Sequence, residues 1–426
     1  MGSALLIIGL LLLAVGMPVA FAMGLASLLF MLIQGGIPLT TIPTRMLNGI
    51  DSFPLLAVPF FVLAGSLMNY GGVTRRLVAF SSALVGHLTG GLGHTTVIAN
   101  MIMAGMSGSA VADATATGSI LIPWMVRAGY SPRFAAAVTA AASTIGPIIP
   151  PSIAMVIFGS LTGVSTGRLF VGGVVPGVLM GLYLMLVCYL IAKRRGYGKG
   201  ADFSWRRVLE SGVDAILAMV APIIVLGGIL VGVFTPTEAA VVASVYALLL
   251  GLGYRELDWS GLRSAGTETI VTSGIVMLIV AASSVTGWIA ALMQMPQAIV
   301  SFFTVMTDDP RLVLLIINLI LLFLGCLMDP VPIMIITIPV FMPLIQRYHF
   351  DPVHFGVMMV LNLMIGMITP PVGMSMYITS TIAKISIWDF SMEVWPFIVA
   401  LVVVLLMVTY WTGLVTFLPN ALMGAR

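Results

Sequence analysis

Apolar runs of about 15–28 residues recur along this chain, separated by short segments that hold most of the charge. Runs such as VLMGLYLMLVCYLIA (178–192) are continuous and do not alternate, which argues for membrane helices and against β-barrel strands. The pattern predicts spans near 3–16, 18–34 and 54–70, then a bent segment about 91–126 with its tip at GMSGSA (105–110). A broken span about 131–162 and a span 169–192 follow. The second half reads alike, with spans near 214–234, 236–253 and 267–293, and a bent segment about 311–346 with its tip at GCLMDP (325–330). A broken span about 352–383 and a span 391–418 complete it. FSWRRVLES (203–211) and ELDWSGL (256–262) read as interfacial helices with Trp anchors. The opening SALLIIGLLLLAVGMPVAFAMG lacks a basic leading region and reads as a retained span, not a signal peptide.

The breaks in both halves carry the same word. A shift of 220 residues lays GPIIPP (146–151) on GMITPP (366–371), and five of the six prolines in 123–176 fall on prolines. This duplication predicts a first repeat over 1–200, a cytoplasmic interfacial linker over 201–213 and a second repeat over 214–426. If the bent segments are re-entrant hairpins, each repeat has five crossings, so the second is inverted in the membrane. Charge supports that layout. With KRRGYGKGADFSWRR (193–207) in the cytoplasm, thirteen Lys and Arg fall inside and five outside, as the positive-inside rule requires. Both termini are then expected in the periplasm, and the hairpins enter from opposite faces.

Composition narrows the function. Sixty per cent of residues are apolar, 8% are charged, and the mean hydropathy is +1.15. The net charge of +3 gives no reason to expect a nucleic-acid partner; membrane lipid is the expected surroundings. Cys188 and Cys326 lie in apolar runs, and the four histidines are dispersed, so neither a disulfide framework nor a catalytic metal cluster is indicated. The thirty methionines read as pliable packing.

Proline removes a backbone donor and breaks the helix ladder, and unwound backbone survives at membrane depth only where it is buried or lines a cavity. Its freed carbonyls form a hard-oxygen site suited to Na⁺. Two breaks, each facing the small-residue tip of its own hairpin, predict two Na⁺ sites. The first uses Ser107, Ser109, Gly146, Ile149 and Pro151, and the second Gly325, Asp329, Gly366, Thr369 and Val372, mostly through main-chain carbonyls. Asp113 is open to two readings, an ion or proton group and a helix-start acid. Glu238 in TPTE (235–238) fits a capping box and is read as structural. No Lys or Arg falls in the spans or tips, so an anionic substrate would rely on helix N-termini, hydroxyls and bound cations. Ser152, Ser375, Thr379, Ser380 and Thr381 are the candidate hydroxyls.

FPLLAVPFFVLAG (53–65), MSGSAVADATATGSILIP (106–123), GPIIPPS (146–152), VGVFTPTEAA (231–240) and GMITPPVGM (366–374) resemble words of the large membrane subunit of TRAP transporters. The similarity covers nearly the whole chain. It implies a multi-pass inner-membrane protein of the ion-transporter superfamily that imports an organic acid with Na⁺, such as a C4-dicarboxylate or sialic acid. It further implies an elevator, in which hairpins and broken helices move against a scaffold of outer spans. Two partners are implied, a small four-helix membrane subunit and a soluble periplasmic substrate-binding protein. A stand-alone Na⁺/dicarboxylate carrier of the same superfamily is the alternative, though its usual Ser-Asn-Thr words are absent. An intramembrane enzyme is more distant, since Asp113 and Asp329 lie in different halves without a catalytic motif.

Overall fold

The computed structural model describes residues 8–424 except 10, 14, 199 and 201. Its regular elements are helices, seven of them long and apolar enough to cross a bilayer. The chain is therefore an all-α, multi-pass membrane protein. Half of the expected span 3–16 lies outside the described residues; the next forms Val19–Gln34. The 54–70 span begins as a 3-10 turn, Phe53–Leu56, and continues as Ala57–Tyr70.

Both bent segments fold back at their small-residue tips. The first comprises Gly91–Ser107 and Ala110–Arg127, turning through Gly108 at φ 59°. The second comprises Pro310–Gly325 and Pro330–Arg347. Ser109 and Asp329 hold the N-cap positions of the returning helices, and these two positions are 220 residues apart. The broken spans are equally clear. Pro132–Ser143 stops before GPIIPP and the chain resumes helix at Ile153–Thr162, while Pro352–Gly366 stops before TPP and resumes at Met374–Ala383. The Pro150–Pro151 and Pro370–Pro371 bonds are both cis.

Several boundaries differ from expectation. The stretches 203–211 and 256–262 are not separate interfacial helices. Trp205–Leu230 and Trp259–Leu292 run unbroken into the following spans, the second capped by Asp258, which accepts from the Gly261 N–H at 2.7 Å. No proline interrupts either junction, so the ladder continues through it. Part of the expected 201–213 linker is thus helical. The segment 391–418 divides at Trp411–Thr412 into Ile387–Tyr410 and Gly413–Met423. Three helices, Thr41–Ile50, Val73–Val85 and Met295–Met306, were not expected, being short and, in the first two, interrupted by polar residues.

Inside a bilayer, packing and polar ties hold helices together more than apolar transfer does. The first arms of the broken helices form the centre. Pro132–Ser143 (PRFAAAVTAAAS) is buried from Phe134 to Ser143, its alanines permitting close approach, and Pro352–Gly366 is buried from Val353 to Gly366. The halves interlock: Met374–Ala383 packs on Ala110–Arg127 and Pro132–Ser143, and Pro330–Arg347 packs on Ile153–Thr162. Buried amides fasten the second half. Asn362 Nδ2 donates to Asn318 Oδ1 at 2.8 Å, and Asn318 Nδ2 donates to Thr409 Oγ1 at 3.0 Å. The outer spans form a second packed group in which Ala57–Tyr70 contacts Pro236–Gly253 and Trp259–Leu292. Ser244 Oγ donates there to the Phe60 carbonyl at 2.7 Å. The Thr235/Glu238 capping box is present, with Thr235 N–H donating to Glu238 Oε2 at 2.8 Å.

Candidate functional site

Each hairpin tip touches the break of its own half. At the first tip, Ser107 ends one arm and its Oγ donates to Asp113 Oδ1 at 2.5 Å. Gly108 lies so close to the Pro151 carbonyl that an added Cβ would sit 2.6 Å from its oxygen. Gly65 of Ala57–Tyr70 closes the other side, where a Cβ would lie 3.1 Å from Ser107 Cα. A Cβ on Gly146 would collide with Asp113 Oδ2, which itself is buried without a hydrogen-bond partner among the described residues. Asp113 is 0% exposed, and a buried carboxylate with one oxygen unbonded is costly in such surroundings. Ser107, Asp113 and Gly146 thus meet where the first tip touches its break.

At the second tip, Gly325 and Gly366 meet backbone to backbone: a Cβ on Gly325 would lie 3.2 Å from Gly366 Cα. The Val372 N–H donates to the Cys326 carbonyl at 3.2 Å, tying break to tip. Thr369 hydroxyl donates to its own helix at the Ile365 carbonyl, 2.7 Å away. Asp329 makes no capping bond with its side chain and faces a cavity.

That cavity, about 270 Å³, lies between the two tips. Ser107, Ser109 and Asp329 all line it, so residues expected in separate sites share one space. Pro147 reaches it from the first break and Met367 from the second. The far wall belongs to the outer spans, with Ser66 from Ala57–Tyr70 and Glu268 and Thr272 from Trp259–Leu292. No Lys or Arg lines it.

Other expected residues lie elsewhere. Ile149 packs against Gly177 of the helix Thr166–Arg195. Among the candidate substrate hydroxyls, Ser152 caps Ile153–Thr162 by accepting from Met155 N–H at 3.2 Å. Thr379 donates to the Ser375 carbonyl at 2.9 Å and Thr381 to the Tyr377 carbonyl at 2.8 Å, the back-bonding common for such residues in helices. Ser375 and Ser380 keep buried hydroxyl oxygens without partners among the described residues. None of these five lines the cavity between the tips.

Two groups stand at the site beyond the expected sets. Asp113 carries an acid signal in the sequence, but only folding shows that it turns back on Ser107 and Gly146. Glu268 opens the apolar run TIVTSGIVMLIV, and its i,i+4 spacing to Thr272 was the available signal.

Comparison with known proteins gives the family. Residues 6–414 match the family described as "Tripartite ATP-independent periplasmic transporter, DctM component". The chain is 42% identical over 414 residues to the sialic acid TRAP transporter large permease protein SiaM of Vibrio cholerae, covering 97% of each chain. It is 37% identical to the C4-dicarboxylate TRAP transporter large permease protein DctM of the same organism, covering 99% of this chain and 97% of that one. Its fold resembles the YdaH transporter of Alcanivorax borkumensis, with a TM-score of 0.61 at 14% identity over 88% of this chain and 89% of that one. A membrane-embedded chain with paired tips and breaks, matched along nearly its whole length, is a transporter permease and no enzyme: it belongs to the DctM family of TRAP transporter large permeases.

Proposed function

We propose that this permease imports an organic carboxylate, of the sialic acid or C4-dicarboxylate kind, by Na⁺ symport. The observation that carries the reading is the buried Asp113 carboxylate, whose Oδ1 accepts from Ser107 while its Oδ2 lies against Gly146 without a partner among the described residues. A cation there balances a charge that nothing else among the described residues balances. The first site uses Asp113, Ser107, Ser109 and the backbone around Gly146 and Pro151; the second uses Asp329 with the backbone around Gly325, Gly366, Thr369 and Val372. In that site Thr369 and Ile149 of the first would serve through main-chain carbonyls, since the Thr369 hydroxyl is already engaged and Ile149 has none. The substrate occupies the cavity between the tips, where bound cations supply the positive charge that its lining lacks.

The carboxylate reading draws on the relatives, whose names give sialic acid and C4-dicarboxylates. A fused relative, the isethionate permease DctMQ of Oleidesulfovibrio alaskensis, is 39% identical, and this chain covers 63% of its length. A small membrane subunit partners this permease, and a soluble binding protein delivers substrate to it. The hairpins and broken helices form the moving core, and the outer spans form the scaffold of an elevator in the inner membrane. In liposomes holding this chain and its small subunit, uptake of sialic acid or succinate requires an inward Na⁺ gradient and the loaded binding protein together. Equal uptake under a K⁺ or proton gradient alone would overturn the symport.

The inverted layout has its own test. In a Cys188→Ser/Cys326→Ser background, a membrane-impermeant thiol reagent applied to intact cells labels Asp309→Cys and spares Arg206→Cys. Both positions are exposed, at the start of the second hairpin and in Trp205–Leu230 respectively. The reverse labelling pattern would exclude periplasmic termini and an inward-facing 193–207 loop.

A further inference from the structure

We infer that Glu268 is a release residue, a fixed negative charge on the scaffold wall that speeds exit of an anionic substrate to the cytoplasm and opposes its re-entry. This rests on the carboxylate symport proposed above. Glu268 and Thr272 lie one turn apart on Trp259–Leu292, and both line the cavity opposite the tip residues Ser107 and Asp329. Glu268 is exposed and takes part in no ion pair among the described residues. It stands nine residues from Trp259, so about 13 Å of helix separates it from that end. The charge asymmetry puts the Trp259 end in the cytoplasm, which sets Glu268 on the cytoplasmic side of the cavity wall.

The electrostatic consequence depends on the cations. While Na⁺ occupies the tips, the substrate's charge is compensated. Once Na⁺ departs, the anion faces Asp329 and Glu268 in a cavity without a basic side chain. A low-dielectric wall focuses that field, so the anion is held less tightly in the cavity and leaves it sooner once the cations are gone. An anion arriving from the cytoplasm meets the same charge first. Asp329 moves with its hairpin and serves the cation; Glu268 stays on the scaffold, so its effect is greatest at the inward-facing stage.

The test measures affinity from the inside. Liposomes of defined orientation, loaded with labelled succinate or sialic acid, efflux down an outward Na⁺ gradient into excess empty binding protein. Glu268→Gln lowers the inner KM for succinate by about threefold to tenfold, the effect of one charge at short range in a partly screened site. The shift is smaller for sialic acid, which carries one charge where succinate carries two. Glu268→Lys moves the inner KM further in the same direction, and Glu268→Asp keeps the original value. The difference between Gln and the original shrinks at high salt, because exposed charges are screened. The outer KM for import shifts less than the inner KM in every variant. An inner KM for succinate that is equal in Glu268→Gln and the original, or a shift that ignores salt and substrate charge, would overturn the role of Glu268. Loss of the underlying reading looks different: the unsubstituted protein then shows no Na⁺-dependent carboxylate flux in either direction.

Discussion

Asp113→Asn raises the Na⁺ concentration for half-maximal uptake by about a hundredfold and lowers the steepness of the Na⁺ dependence. Removing one member of a buried charge pair costs about 3 kcal/mol or more, which is the origin of that factor. The Ser107 hydroxyl keeps an oxygen partner in the variant, so the tip stays folded and only the cation loses its counter-charge. Asp329→Asn acts in the same direction but less strongly, because Asp329 faces the cavity and water screens it, whereas Asp113 is 0% exposed. Uptake measured against Na⁺ concentration, at saturating loaded binding protein, separates the two. Unchanged Na⁺ affinity and steepness in Asp113→Asn would show that this carboxylate is merely a helix-start acid held by Ser107.

Gly366→Ala abolishes transport to within about a tenth of the original rate or less while leaving the protein inserted. The new Cβ would lie 2.5 Å from the Gly325 carbonyl carbon, backbone against backbone, so no side chain can swing aside. Overpacking of this kind costs about 1–3 kcal/mol, and the second tip relieves it by moving off its break. The Val372–Cys326 hydrogen bond then lengthens, and the carbonyls proposed to hold the second cation move apart. Gly163→Ala is the control: it caps the resumed helix Ile153–Thr162 of the first broken span, yet nothing lies within 4 Å of its added Cβ, and its cost is the strain of φ 73° alone. Equal transport by Gly366→Ala and the original would mean that tip and break need no close approach. Detergent-solubilised yield and thermal unfolding of each variant distinguish lost function from lost fold.

The sequence by itself determined the solvent, the element order and the points of interruption. Apolar runs too long and too continuous for strands required membrane helices, and Pro150–Pro151 and Pro370–Pro371 required the ladder to stop where it does. Small residues at 105–110 and glycine at 325 likewise marked the tips, and TPTE marked a cap that the fold contains. These are local constraints, each settled by the chemistry of a few neighbouring residues. Polar helices such as Val73–Val85 escaped notice because their stability comes from packing on neighbours and not from their own apolar pattern.

Only the tertiary structure decided which groups meet. Ser107 lies six residues from Asp113 in the chain, yet their pairing needs the tip to reverse at Gly108, and the free Asp113 oxygen acquires its setting from Gly146 on another element. The hydroxyls at 152, 375, 379, 380 and 381 were attractive by composition, but helical back-bonding, capping and burial keep them off the cavity wall. Glu268 and Asp329 face one space although 61 residues separate them. Periodicity fixes the face a residue occupies on its own helix; which other face it opposes follows from how helices from two halves interlock, and that is a long-range balance of packing that no local pattern records.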